Sequence, residues 1–133
     1  MNDIINYMLR NVAPSWDGAT TLYLSLHTGA VGLGGNQLTN EAAYTPYVRV
    51  AISRNASGTF NAAAGGVAVN NALLQFAQCT GGTLPEVITH AALGENSSGA
   101  GTVIATAALT SSITVNINSV PQFAISTLSV GEQ

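Results

Sequence analysis

Hydrophobic and polar positions alternate along two segments in the first half of the chain, residues 20–27 and 47–53. Because successive side chains of a β-strand point to opposite faces of the sheet, this alternation predicts two half-buried antiparallel strands. The side chains that the pattern assigns to the buried face are Leu22, Leu24, Leu26, Val48, Val50 and Ile52. The opposite face of the first strand then carries Tyr23, Ser25 and His27.

Further segments of strand-like composition follow at short intervals, and they are residues 66–70, 73–78, 86–93, 103–109, 113–117 and 121–128. Glycine-rich or polar turns separate them, and no long helical period lies between them. About eight short strands with this spacing predict an all-β fold, an antiparallel β-sandwich of jelly-roll type. The glycine-rich residues 29–37 are expected to form an exposed, mobile tip.

The first dozen residues have a different period. Ile4, Ile5, Met8 and Leu9 recur at the spacing of one helix face, and Pro14 ends the pattern. We therefore divide the chain into an N-terminal helix or arm, residues 1–19, and a β-sandwich domain, residues 20–133. The helix either caps the core of its own domain or lays its apolar stripe on a neighbouring subunit, since about three turns are too short to be stable without tertiary contacts.

The composition indicates an unusually neutral surface. Hydrophobic residues make up 47% of the 133 residues and charged residues 7%, against about 25% charged in a typical domain. Lysine is absent. Such a surface favours a protein that is substantially covered by partners in an assembly, the alternative being a neutral monomer.

Charge, hydropathy and cysteine content exclude several classes of function. The net charge is −3 and the cations are Arg10, Arg49 and Arg54, so we expect no binding to nucleic acid. Apolar runs fall short of the roughly 20 residues that a membrane span needs, so we expect no membrane insertion. Cys79 is the only cysteine, which rules out an intrachain disulfide and is compatible with folding in a reducing cytoplasm.

The residue types that carry chemistry are few and scattered. His27, His90 and Cys79 are one conceivable ligand set, but their spacing matches no metal motif. The acidic residues lie apart from one another, and no serine stands in a Gly-x-Ser-x-Gly elbow. We therefore predict a protein that is not an enzyme and has no catalytic residue, metal or cofactor.

Candidate interface residues come from the helix and from two aromatic positions. Tyr and Trp anchor many protein interfaces, stack on sugars, or fill cores. Tyr44 and Tyr47, beside Glu41, are expected to be the most accessible aromatics. The predicted interface set is Ile4, Ile5, Met8, Leu9, Tyr44 and Tyr47.

Several segments recur in order in a pattern that resembles a family of small tailed-bacteriophage virion proteins, whose members are tail-fibre-like, structural or capsid decoration proteins. The likeness runs from about residue 22 to about residue 128. The segments that carry it are residues 22–29, 40–51, 77–82, 87–90, 97–101 and 121–125.

The resemblance implies a non-enzymatic phage virion structural protein. Our first expectation is a capsid decoration or cement protein on the capsid exterior, assembled in the host cytoplasm. Its partners would be the major capsid protein and further copies of itself, in a dimer or trimer. The alternatives are a tail, fibre or baseplate component with possible host-glycan contact, and, from another class, a free carbohydrate-binding module or a small hydrolase.

Overall fold

Antiparallel β-strands make up most of the secondary structure in the computed structural model, which describes residues 3–131. Within that range the elements are α1 (Asp3–Arg10), β1 (Thr21–His27), β2 (Val50–Ser53), β3 (Val67–Val69), β4 (Leu74–Gln75), β5 (Glu86–Gly94), β6 (Val103–Val115), β7 (Gln122–Phe123) and β8 (Ser129–Gly131). The predicted all-β class and the short N-terminal helix are confirmed.

The main sheet has four strands in the order β2-β1-β5-β6, and every neighbouring pair is antiparallel. Leu24 of β1 lies opposite Val50 of β2 on one side and Leu93 of β5 on the other. Two separate ladders, β3 with β8 and β4 with β7, complete the strand pairing of residues 3–131. This arrangement does not confirm the jelly-roll sandwich that the sequence predicts.

Two predicted strands, residues 103–109 and 113–117, are one strand, β6. The polar segment between them, Thr110, Ser111 and Ser112, stays extended. The reason is the partner strand, because β5 continues past this point and pairs Ile88 with Ile113. A register irregularity between Ile88 and His90 absorbs the extra residues of β6, as a β-bulge does.

Of the predicted strand 121–128 only Gln122 and Phe123 are in a strand, β7, and β8 begins after the predicted range, at Ser129. Ser126 adopts a left-handed backbone conformation, with φ of 63°, and turns the chain. The buried Asn70 holds this turn, since its side-chain amide donates to the Ala124 carbonyl at 2.9 Å and its carbonyl oxygen accepts from the Leu128 amide at 2.9 Å. A single polar side chain therefore breaks the predicted strand.

The core lies on one face of the main sheet. Leu24, Leu26, Ile52, Ile88 and Val115 contribute to it from the strands, and all are at most 4% exposed. Aromatic side chains from loops and from β7 cover them and contact one another in the order Tyr44, Tyr47, Phe76 and Phe123, with ring centroids 5.5 to 6.4 Å apart.

Val48 departs from the predicted buried face and is 61% exposed. The chain enters β2 only at Val50, so strand alternation does not apply to residues 47–49. In this segment Arg49 points inward instead, because its guanidinium pairs with Glu41.

The prediction that β1 is half-buried is wrong for its second half. Residues 24–27 are all buried, including Ser25 and His27 at 0% exposure. The segment after β1 folds back over the second face of the sheet, where Val31 packs with Ala92 and Val103. The glycine-rich segment is accordingly an exposed tip only in part, since Leu33 is 85% exposed whereas Val31 and Gln37 are buried.

Candidate functional site

Helix α1 is a short amphipathic helix with complementary charges at its ends. Asp3 lies in the first turn and Arg10 in the last, where each opposes the partial charge of the helix dipole. Asn11 follows with φ of 52°, the left-handed conformation that commonly ends a helix. The helix thus ends at Arg10, whereas the sequence pattern ends at Pro14.

The apolar stripe of α1, defined as Ile4, Ile5, Met8 and Leu9, faces away from the rest of the protein. These side chains are 51, 59, 75 and 78% exposed, and no residue of α1 is buried. Asp3 and Asn6, on the opposite face, are half-buried. This is the reverse of a surface helix that covers its own core. Since burying one such side chain fully is worth about 1.5–3 kcal/mol, the stripe is a strong candidate for contact with another protein.

The segment between α1 and β1 is fastened to the main sheet. The Arg54 Nη1 atom donates to the carbonyls of Trp16, Asp17 and Ala19 at 2.6, 2.8 and 3.0 Å. Its guanidinium carbon also lies 5.2 Å from the centroid of the Trp16 ring. Residues 16–19 therefore have a fixed position on the domain.

A second bond fastens the same segment at the end of β5. Ser15 Oγ donates to the Glu95 carboxylate at 2.5 Å. This hydrogen bond is the main reason that the pKa of Glu95 lies below its usual value. Together with the Arg54 contacts, it fixes residues 15–19, through which α1 is connected to β1.

An uncharged groove runs between the β5–β6 half of the sheet and the β3–β8 ladder. Its volume is about 750 Å³, and none of its lining residues carries a charge. Small residues dominate the sheet side, among them Ala91, Ala105 and Ala107, whereas larger apolar side chains such as Leu128 and Val130 stand on the ladder side. The groove thus combines an apolar lining with room for large side chains.

Tyr44 does not belong to an accessible surface, and the prediction that it is available to a partner is wrong. It is 2% exposed, and its hydroxyl donates to the Ala77 carbonyl at 3.0 Å. Burial raises the pKa of this hydroxyl to about 12. The Glu86 carboxylate holds the adjoining backbone by accepting from the amides of Ala43 and Tyr44 at 2.8 and 3.0 Å.

Tyr47 is half-buried and mainly structural. Its hydroxyl oxygen accepts a hydrogen bond from the Leu26 amide at 3.0 Å, and burial raises its pKa. The ring stacks on Phe76 at 6.1 Å. Of the six predicted interface residues, the four of the α1 stripe therefore share one exposed helix face, whereas the two tyrosines pack in or against the core.

His27 and His90 are opposite each other on β1 and β5. The His27 Nε2 atom lies 2.8 Å from Ser25 Oγ, and Nδ1 lies 2.8 Å from the Thr39 carbonyl oxygen. Burial lowers the pKa of His27. Ser25 and His27 are both fully buried, so this serine–histidine pair is closed to a substrate. Within residues 3–131 no three His, Cys, Asp or Glu side chains are grouped closely enough to hold a metal ion.

Comparison with known protein families gives a match over nearly the whole chain. Residues 1–131 match the family described as "Podophage GP4 fiber I protein gp80". The chain belongs to the podophage fibre I protein family. A search of curated proteins gives no match.

Membership of the fibre I protein family confirms the resemblance to phage virion structural proteins of tail-fibre-like type. The family match identifies the chain as a virion protein and does not place it on the capsid exterior. Among residues 3–131, no helix has the length and apolarity to cross a membrane.

The groove and the Arg54 anchor are two features that the sequence patterns did not predict. The groove joins β5 and β6 to a ladder whose strands, β3 and β8, are far apart in the sequence, so no local pattern reveals it. The anchor had one available signal. Arg54 is one of only three cations in a nearly uncharged chain, and a guanidinium carries five N–H donors that suit contact with several carbonyls.

Proposed function

We propose that this chain is a non-enzymatic structural subunit of a podophage tail fibre, and that it works by packing against other proteins of the virion. The observation that carries the proposal is the outward-facing stripe of α1. A helix whose large apolar side chains are more than half exposed, while Asp3 and Asn6 on its polar face are half-buried, is arranged for a partner and not for its own core.

The charges of the chain support protein partners over nucleic acid. Arg49 is 8% exposed and paired with Glu41, and Arg54 is engaged with three carbonyls of its own chain. Of the three arginines, Arg10 alone is classed as exposed. This distribution supplies no basic patch that could neutralise phosphates. The proposed partners are therefore further copies of this chain and adjoining virion proteins, with neither nucleic acid nor membrane.

The capsid decoration role that the sequence analysis places first becomes the second candidate. A neutral, apolar contact surface would serve on the major capsid protein as well as in a fibre. We rank the fibre first because the matched family is described as a fibre protein. A free carbohydrate-binding module ranks lower, since the tyrosines that were expected to be most available for stacking are buried or half-buried.

Immunogold electron microscopy of purified particles tests the proposal. Gold is expected on the tail fibres, and quantitative mass spectrometry is expected to give a copy number far below that of the major capsid protein. Gold spread over the shell, with a copy number close to that of the major capsid protein, would instead support decoration. Binding to a glycan array by the isolated protein, with no label on particles, would support the carbohydrate-binding module.

The contribution of the α1 stripe is tested by incorporation into particles. Ile5→Asp places a charge on the stripe, and Asn6→Asp places the same charge on the neighbouring position of the polar face. The two positions are adjacent near the N-terminus of α1, so the added charge interacts with the helix dipole to a similar extent in both variants. We expect Ile5→Asp to lower the copies per particle and Asn6→Asp to leave them unchanged.

A further inference from the structure

We propose that the groove between β5–β6 and the β3–β8 ladder receives the apolar stripe of α1 from a second copy of this chain, so that subunits join head to tail. The inference rests on the proposed function and names the partner of the α1 stripe. The contact joins two different surfaces of the same protein. We call α1, the element that is inserted, the donor, and the groove that receives it the acceptor.

The dimensions of the two surfaces agree. Eight helical residues span about 12 Å, and a helix with its side chains is about 10–12 Å across. A cylinder of that size occupies about 900–1,400 Å³, so its apolar half fits a groove of about 750 Å³. The groove therefore takes the stripe and leaves Asp3, Asn6 and Arg10 outside it.

The chemistry of the two surfaces is also complementary. The donor presents large, branched or flexible side chains, whereas alanines dominate the sheet side of the acceptor. Large residues opposite small ones let apolar surfaces interdigitate. Since no charged residue lines the groove, docking desolvates no ion in the acceptor.

A symmetric zipper of α1 helices is the less suitable arrangement. Coiled coils require an apolar heptad pattern sustained over three or four heptads, and α1 has eight residues. A preformed groove supplies the tertiary contacts that so short a helix needs.

The resulting contact is heterologous, since donor and acceptor surfaces differ. Such contacts produce closed rings when the rotation between subunits closes, and otherwise open filaments. One short helix in one groove buries an area at the low end of specific interfaces, so we expect reversible, concentration-dependent association of the isolated protein.

Two variants of the full chain test the inference. Ile5→Asp disables the donor and keeps the groove, and Ala107→Asp puts a charge into the groove and keeps the donor. The matched controls are Asn6→Asp on the polar face of α1 and Ala51→Asp at an exposed alanine of β2 outside the groove. Circular dichroism confirms that each variant is folded before association is measured by sedimentation velocity over a concentration series.

Each of the two test variants is expected to raise the dissociation constant of self-association at least about 30-fold, as loss of an interface hot spot does. The two controls are expected to associate like the unmodified protein. When the two test variants are mixed, one intact helix and one intact groove remain per pair, so the mixture is expected to form 1:1 heterodimers that grow no further.

Three results would overturn the inference. A symmetric helix contact would leave Ala107→Asp associating normally, and a helix folded into its own groove would leave the unmodified protein monomeric at all concentrations. Failure of the mixed variants to form heterodimers would exclude the donor–acceptor pairing. These measurements use purified protein, so they are independent of the immunogold result. Gold on the fibres without self-association would reject this inference alone.

Discussion

Arg49 and Glu41 form a bidentate ion pair inside the protein. The Arg49 Nε and Nη2 atoms lie 2.6 and 2.8 Å from the two carboxylate oxygens, and the two side chains are 2 and 12% exposed. The same guanidinium donates to the carbonyls of Asn96 and Gly99 at 2.8 Å each. One cation thereby joins the β1–β2 connection to the β5–β6 connection.

Removing the carboxylate is expected to destabilise the fold strongly. Glu41→Gln leaves the buried Arg49 charge without its counter-ion, and we expect the free energy of unfolding to fall by about 3–5 kcal/mol. Urea denaturation measures the loss. Asp17→Asn removes a charge from an exposed residue and is expected to change stability by no more than about 0.5 kcal/mol. Equal effects of the two substitutions would show that the pair does not stabilise the protein.

Burial on both faces of β1 predicts a graded series. Leu24→Ala is expected to cost about 2–5 kcal/mol through the cavity it leaves. Ser25→Ala is expected to cost about 1–3 kcal/mol, because it leaves buried His27 without a hydrogen-bond partner at Nε2. Ser53→Ala, at an exposed position of β2, is expected to cost at most about 0.5 kcal/mol. Thermal or urea unfolding checks the order, and a harmless Ser25→Ala would indicate that the second face of β1 is not closed.

Gln37 fills space that only glycine leaves open. A Cβ atom at Gly94 or Gly101 would overlap the Gln37 side chain, which exchanges hydrogen bonds with the Asn96 backbone. Gly101→Ala is therefore expected to cost about 1–3 kcal/mol, as overpacking does. Gly34→Ala, with no atom within 4 Å, is the matched control.

A double variant tests the cause of that overlap. Replacing Gln37 by Ala in the Gly101→Ala protein removes the atom nearest to the new Cβ, the Gln37 Oε1 atom, and leaves the Asn96 Cβ atom at 2.8 Å. The two substitutions together are then expected to cost less than the sum of their separate effects in a double-mutant cycle. Strict additivity would contradict the predicted contact.

His27 is expected to make stability depend on pH. Burial holds its pKa in the folded protein below the 6.5 of an ordinary histidine. As the pH falls below 6.5, the unfolded chain therefore binds more protons than the folded protein does. The free energy of unfolding decreases as the pH is lowered. Urea denaturation of the unmodified protein and of His27→Gln, at pH 7.5 and at about pH 5.5, measures the difference. The variant is expected to lose less stability between the two pH values, and identical losses would exclude His27 as the cause.

Deletion of residues 1–13 tests the division between arm and domain. Helix α1 contributes no buried residue, and the deletion retains Ser15 and Trp16 with their contacts to the sheet. We expect the shortened chain to unfold at nearly the same urea concentration and to self-associate more weakly. A large loss of stability would assign α1 to the core of its own domain.

The sequence predicted those elements whose apolar side chains recur with a regular period, of two residues in a strand or of three to four in a helix. Leu24 and Leu26 identified β1, and the apolar period of Ile4, Ile5, Met8 and Leu9 identified α1. Gln37 and Arg49 were missed because a polar side chain indicates the surface unless its partner is known, and these partners come from distant segments. Tyr44 was misjudged for the same reason, since its burial depends on hydrogen bonds to Ala77 and Glu86.

The attachment of α1 through Arg54 determines how mechanical load would travel through the protein. The anchored residues 16–19 lead directly into β1, which is paired along both edges. Tension applied to α1 is therefore transmitted to an interior strand and shared between the β1–β2 and β1–β5 ladders. Peeling of an edge strand, in which hydrogen bonds break one after another, does not begin at this attachment. The connection through residues 16–19 therefore makes α1 a suitable point at which a bound partner can apply force.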